Sequence, residues 1–313
     1  MKQLRYDNYG GIDEMYLAEV DKPEPGPEEI LIEVKAAGIN PVDWKIRNAH
    51  MKMVDGHEWP RRMGLEFAGI IRQVGDQVTN FEPGEEVFGA VSLKILGAMS
   101  DFIVVTPDQI HAKPPSMSMS EAGGLPLIGA TAYQALHEKV DMRGVDVLIN
   151  GGSGGVGNSA IQLARMDNAN VTAVAGPHHQ DIMRELGANR TVNYETTDVK
   201  SEEHRYDIIL DASGTLPWSE AKSLLKKHGT YLNLQPGLTS FVSSFVNNKL
   251  SDKKHVPMLT DITHHSLHKL YDLVEEHGFK VKIGREFALM EYKKAFTELE
   301  NGEGPAGKCV FLP

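Results

Sequence analysis

The run Gly151-Gly152-Ser153-Gly154-Gly155-Val156-Gly157 carries the most specific chemistry in the chain. It follows a short apolar strand, Val147-Leu148-Ile149-Asn150, and opens directly into a helical pattern from Val156 to Asp167. Within it, Gly152, Gly154 and Gly157 have the Gly-x-Gly-x-x-Gly spacing of a dinucleotide-binding turn. The first glycine permits the tight turn, the second lets backbone approach a pyrophosphate, and the third lets the helix pack closely on the strand. The helix N-terminus adds free N–H groups and a partial positive charge. A glycine-rich connection without a ligand is the alternative, but the strand before, the helix after and the further strand–helix units weigh against it.

The flavour of the dinucleotide is read at the end of the next strand, Asn170 to Ala175. A site that prefers NAD places Asp or Glu about 20 residues on, where it binds the ribose hydroxyls. Here the strand ends in Gly176-Pro177-His178-His179, and the first acid, Asp181, already lies in a helical pattern. Two imidazoles without a carboxylate favour a 2′-phosphate, hence NADPH. The alternative is that His178 and His179 merely open a surface helix.

These residues need elements to hold them. The 313 residues allow two domains sharing a crevice. The stretch before Lys113-Pro114-Pro115 reads as short strands (Ile30–Val34, Phe67–Val74, Glu86–Val91, Asp101–Val105) broken by turns, which suggests a barrel-like β domain. From about Pro126, strands alternate with helices, the pattern of a doubly wound parallel sheet. The expected division is 1–120, 121–263 and 264–313. In the last segment, helices at Ser266–His277 and Met290–Glu300 lead to a strand, Gly307 to Leu312, returning to the first domain. Gly237 to Thr263 shows no period and reads as a long loop near a substrate or subunit contact. With the loop from His50 to Arg62, it is expected to line or cover the pocket.

A net charge of -11 argues against nucleic acid or an anionic membrane as the main partner, since both demand a basic footprint. The single cysteine, Cys309, excludes an internal disulfide and a Cys-rich zinc lobe. No apolar leader or run of about 18 apolar residues is present, so the expected compartment is the cytosol.

Several stretches, in order, resemble the zinc-independent medium-chain dehydrogenase/reductases: quinone oxidoreductases and the NADPH-dependent alkenal and enone reductases. They are Ala36-Ala37-Gly38-Ile39-Asn40-Pro41-Val42-Asp43-Trp44-Lys45, Gly64-Leu65-Glu66-Phe67-Ala68-Gly69, Gly129-Ala130-Thr131-Ala132-Tyr133, Asn150 to Ala164, and Val192-Asn193-Tyr194. The likeness implies an α/β chain with a GroES-like β-barrel catalytic domain and a Rossmann domain, and a homodimer formed through an edge strand. It further implies that Asn40 and Thr131 lie near a nicotinamide, Gly154 to Val156 at the pyrophosphate, and Tyr194 near the 2′-phosphate. His179 falls where family members often carry a Lys for that phosphate. In the zinc alcohol dehydrogenases of the wider superfamily, Cys stands at the position of Asn40 and His at that of Leu65. Leucine cannot ligate a metal and Asn replaces thiolate poorly, so no catalytic zinc is expected.

Without zinc, the acceptor must take hydride unaided. Quinones and α,β-unsaturated carbonyls do so by delocalising the developing charge. Lys45 is the candidate donor to the acceptor's oxygen, paired with Asp43 in the same loop; the alternatives are a surface lysine and an Asp43 that fixes the loop. An enoyl-thioester reductase and a non-catalytic, redox-sensing NADPH-binding protein are the competing functions. His264, His265 and His268 sit together but lack a fourth ligand nearby in sequence, so a solvated helix start is the favoured reading there.

Overall fold

The computed structural model describes residues 1–52 and 59–313; the expectation for the loop from His50 to Arg62 falls largely on residues 53–58, which lie outside the described residues. The chain forms two compact units, Met1–Leu127 with Ile262–Pro313, and Ile128–Asp261.

The first unit opens with β1 (Lys2–Tyr6), β2 (Met15–Glu19), β3 (Ile30–Gly38), α1 (Pro41–Arg47), β4 (Arg61–Arg62), β5 (Glu66–Val74), β6 (Glu86–Ala90), β7 (Phe102–Val105) and β8 (Ile110–Ala112). The chain passes into the second unit within α2 (Met119–Tyr133). There follow β9 (Asp146–Asn150), α3 (Gly155–Met166), β10 (Asn170–Ala175), α4 (Gln180–Glu185), β11 (Arg190–Asn193), β12 (Tyr206–Asp211), α5 (Trp218–Leu224), β13 (Leu225–Asn233), α6 (Leu238–Leu250) and β14 (Lys254–Pro257). The return to the first unit carries α7 (His264–His277), β15 (Ile283–Ala288), α8 (Tyr292–Glu300) and β16 (Lys308–Leu312).

In the first unit the main sheet runs β15-β16-β3-β5-β6-β8, with β7 also paired to β3. Apart from the parallel β15–β16 pair, its ladders are antiparallel, and β16 joins β3 through Val310 opposite Gly38. Phe67, Phe88 and Phe311 are fully buried, each burial contributing about 1.5–3 kcal/mol. Arg47, also fully buried, reaches from α1 to Glu300 on α8 at 2.8 Å. That contact fixes the helix that carries the end of the first signature stretch.

In the second unit every strand pair is parallel, in the order β11-β10-β9-β12-β13-β14. Central strands of such a sheet are covered on both faces and read as continuous apolar runs; Val147, Leu148 and Ile149 are accordingly 0% exposed. The order reverses at β9, and ligands of open α/β sheets bind outside the carboxyl ends of strands at that switch point. Among the described residues no helix is long and apolar enough to cross a membrane.

Two local expectations are corrected. Gly237 to Thr263 is not a long loop, because α6 and β14 occupy most of it and β14 adds an edge strand to the parallel sheet. The segment of Asp43 and Lys45 is a helix rather than a loop, begun by Asn40 as N-cap and Pro41 in the first turn, both standard start signals.

Candidate functional site

The glycine turn leaves β9 at the switch point and enters α3. The left-handed residue is Gly151, with φ +86°, and not Gly152 as the spacing rule suggests. Gly152 is needed for space: a Cβ there would stand 2.7 Å from Met183 Sδ and 3.0 Å from Ala173 Cβ. Gly157 is needed for close approach, since its Cβ would lie 2.1 Å from the Gly151 carbonyl oxygen. Gly154 differs from both. It is exposed, and its Cβ would meet only the Gly151 oxygen at 3.7 Å. A side chain at Gly154 would therefore enter the space over the opening of α3 and leave the protein's own packing alone. Ser153, Gly155 and Val156 flank it, half-buried. The turn is braced by Asn158, whose Nδ2 donates to the Gly152 carbonyl at 2.8 Å. The first-turn N–H groups of a helix have no intrahelical partner, so the mouth of this turn fits an anionic group.

At the end of β10, Pro177–His179 form a short 3₁₀ turn, and His179 caps α4. Gln180 ties the corner down by donating to the carbonyls of Ala175 and Gly176 at 3.1 and 2.9 Å. Tyr194, 63% exposed, brings its hydroxyl within 3.2 Å of where a Gly176 Cβ would be. Asp181 is engaged by Arg184 at 2.5 Å on the first turns of α4. This corner thus presents a phenol and imidazoles, and Asp181, the first carboxylate after the strand, is engaged by Arg184.

In the first unit, Asn40 belongs to a buried polar cluster that sequence reading did not assemble. Its Nδ2 donates to Glu66 Oε1 at 2.7 Å, and its Oδ1 accepts from Lys308. Lys308 Nζ also lies 2.7 Å from Glu66 Oε1 and donates to the Ile39 carbonyl at 2.8 Å. The second Glu66 oxygen accepts the Leu127 N–H at 2.6 Å. Asn40, Glu66 and Lys308 are 2%, 0% and 3% exposed. Room for this carboxylate comes from Gly38, where a Cβ would fall 2.1 Å from Glu66 Oε1.

Asp43 Oδ2 accepts the Asn40 N–H at 2.7 Å, while Oδ1 is buried without a hydrogen-bond partner among the described residues. Burial pushes its carboxyl up to about 7, against the opposing pull of the Asn40 N–H and the Lys308 charge. The expected pairing of Asp43 with Lys45 is not formed, because residues two apart on a helix do not face each other. Burial lowers the Lys45 ammonium from its usual range. Thr131, nearly buried on α2, exchanges a hydrogen bond of 2.8 Å with the Thr260 hydroxyl. Leu65 is buried in a small apolar cluster with Ile46 and Leu96.

Glu66, Lys308, Asn158 and Gln180 were not singled out from sequence. A lone charge at the start of an otherwise apolar strand, as in Leu65-Glu66-Phe67 and Lys308-Cys309-Val310, was the available sign of the first two.

The alcohol dehydrogenase GroES-like domain profile matches residues 26–115, and the profile described as zinc-binding dehydrogenase matches residues 186–310. The chain is 32% identical over 325 residues to the chloroplastic quinone-oxidoreductase QR1 of Triphysaria versicolor, covering 100% of this chain and 98% of the relative. It is 32% identical over 324 residues to the chloroplastic NADPH-dependent alkenal/one oxidoreductase of Arabidopsis thaliana, covering 100% and 80%. Among solved structures, the quinone oxidoreductase from Coxiella burnetii superposes with a TM-score of 0.90 at 29% identity, over 100% of this chain and 99% of that one. With the fold, the glycine turn and these relatives together, the chain belongs to the medium-chain dehydrogenase/reductase family, among the quinone oxidoreductases and alkenal reductases.

Proposed function

We propose that the protein is an NADPH-dependent reductase that transfers hydride to a quinone or an α,β-unsaturated carbonyl without zinc. The observation that carries this reading is the corner at the end of β10, where Gly176 to Gln180 carry no carboxylate and Tyr194 stands beside Gly176, next to the glycine turn that opens α3. Bound NADPH supplies the hydride. The N–H groups at the start of α3 hold its pyrophosphate, and Tyr194, His178 and His179 receive the 2′-phosphate. By family resemblance, Asn40 and Thr131 stand near the nicotinamide. Lys45 donates to the acceptor oxygen as negative charge develops there. Neither Asn40, with both ends of its amide engaged, nor Leu65, packed among aliphatic side chains, supplies the donors a catalytic zinc requires.

The test is spectrophotometric oxidation of NADPH with a quinone and with a short enone. Turnover with either supports the reading. Tight NADPH binding without turnover of any acceptor overturns it in favour of a binding or sensing protein. We extend the reading to a homodimer through the edge of the parallel sheet, where β14 is the last strand and α6 exposes Phe241, Val242 and Phe245. A sedimentation coefficient of a monomer at micromolar concentration would contradict that extension.

A further inference from the structure

Asn40 is gripped through its backbone and through both ends of its side chain. Its backbone N–H donates to Asp43 Oδ2 at 2.7 Å, its Nδ2 donates to Glu66 Oε1 at 2.7 Å, and its Oδ1 accepts from Lys308 Nζ. The two side-chain partners come from distant strands. Glu66 begins β5 and Lys308 begins β16, both of which pair with β3, the strand that leads into Asn40. All three residues belong to the first unit.

A carboxamide has an accepting end and a donating end of nearly the same shape, so its neighbours decide which way it lies. Here neither neighbour leaves a choice. An ammonium has hydrogens and no lone pair, so only Oδ1 can face Lys308. A carboxylate has lone pairs and no hydrogen, so only Nδ2 can face Glu66. Reversing the amide would set donor against donor and oxygen against oxygen, with two charge-assisted hydrogen bonds lost. Stability alone does not account for this ion pair. Glu66 and Lys308 are 0% and 3% exposed, and the desolvation of two buried charges can exceed their attraction, so an apolar pair of similar volume often serves a fold as well. An apolar pair cannot give an amide a direction. Glu66 takes one of the two Nδ2 hydrogens, and the other has no acceptor among the described residues. Asn40 is only 2% exposed, and a buried N–H without a partner is unfavourable, so a ligand oxygen that reaches it removes the deficit.

We propose that Glu66 and Lys308 are positioning residues that act through Asn40. They hold its amide so that the second Nδ2–H donates to a carbonyl oxygen of the bound cofactor or acceptor. This rests on the proposed place of Asn40 near the nicotinamide. The nicotinamide carboxamide and the acceptor both carry such an oxygen. On a quinone or an enone that oxygen gains negative charge as hydride arrives, and a donor fixed in advance stabilises it without reorganising.

The test is a cycle of variants of the full-length chain, read by NADPH oxidation with benzoquinone and with methyl vinyl ketone, and by fluorescence titration with NADPH. Asn40→Ala removes the donor and should lower kcat/KM about 100-fold. Glu66→Gln combined with Lys308→Met keeps the packing but releases the amide, and should lower kcat/KM about tenfold. That exceeds the loss of about twofold that free reversal alone would give. In the Asn40→Ala background the same two substitutions should cause no further loss, because nothing is left to position. NADPH affinity separates the two oxygens: it falls with turnover if the carboxamide is the partner and holds if the acceptor is. In the isotope-labelled chain without cofactor, the Nδ2 resonances of Asn40, identified by their loss in Asn40→Ala, should be sharp in the wild type and broadened by exchange in E66Q/K308M. Wild-type kcat/KM in Asn40→Ala or in E66Q/K308M would overturn the proposal, as would sharp Asn40 resonances in E66Q/K308M. So would a loss in E66Q/K308M that persists undiminished in the Asn40→Ala background, since that marks a purely structural pair. A wild-type chain that binds NADPH and reduces neither acceptor is a separate failure, which overturns the hydride-transfer reading and this proposal with it.

Discussion

Around Gly151 to Gly157 the chain works by leaving side chains out, whereas around Asn40 it works by packing them in. The turn offers backbone N–H groups and an exposed Gly154 with open space above it. The cluster offers an amide, a carboxylate and an ammonium, all nearly inaccessible and satisfied by one another. The first arrangement suits a ligand whose charge is fixed and whose shape the backbone can follow. The second suits a rigid scaffold, since buried charges are tolerated only while each keeps its partners. Substitutions should therefore separate the two regions: those in the turn remove binding and spare the fold, and those in the cluster damage the fold first.

The largest effect is expected in the cluster. Lys308→Met leaves Glu66 charged and buried without its counter-ion, at a cost of about 3–5 kcal/mol, and adding Glu66→Gln should recover most of it. Denaturant midpoints of the single and double variants decide the matter; a Lys308→Met protein as stable as the wild type would erase the contrast. Next, Gly154→Leu should weaken NADPH binding about 100-fold, equivalent to about 2.7 kcal/mol, with a melting temperature near that of the wild type. Retained affinity in fluorescence titration would move the cofactor off the turn.

A smaller effect concerns Asp43. With a folded pKa of about 7 against about 3.9 unfolded, the folded chain keeps a proton that the unfolded chain has released. Its contribution to stability is thus complete below about pH 4, falls as pH rises, and levels off above 7. Between pH 5 and 8 the loss should be of order 2 kcal/mol. Asp43→Asn should flatten that slope, and a pH series of unfolding curves that keeps its slope would show another group to be responsible. Smallest of all, His179→Glu should shift the NADPH to NADH ratio of kcat/KM about tenfold toward NADH, or about 1.4 kcal/mol. An unaltered ratio would mean that His179 only caps α4.

The same contrast explains what could be read from residues in order. β10 spans Asn170–Ala175 as expected, because a parallel strand buried on both faces is a continuous apolar run with clear ends. The glycine turn was equally visible, since strand, turn and helix are adjacent in sequence. Only the assignment within it slipped: the positive φ sits at Gly151, a detail of backbone path that spacing does not encode. α6 was hidden because its Phe and Val residues are interspersed with Ser and Asn, which favour helix weakly, and its apolar positions face outward. The Asn40 cluster was invisible for a stronger reason. Glu66 and Lys308 meet only because β3 pairs with both β5 and β16, and no local pattern reports a pairing between distant strands. The contact of His111 on β8 with His268 on α7, at 3.2 Å between ring nitrogens, is the same case.

Lys308 follows Asn40 by 268 residues in sequence, with the whole parallel sheet between them. A ribosome releases the chain from its N-terminus, so Glu66 emerges long before its counter-ion exists. Until β16 has been made, the nascent barrel must leave that carboxylate in water, and cannot close over it as the finished protein does. The second unit has no such dependence and can complete its sheet as soon as β14 is free. Synthesis should therefore finish the cofactor turn first and seal the barrel last.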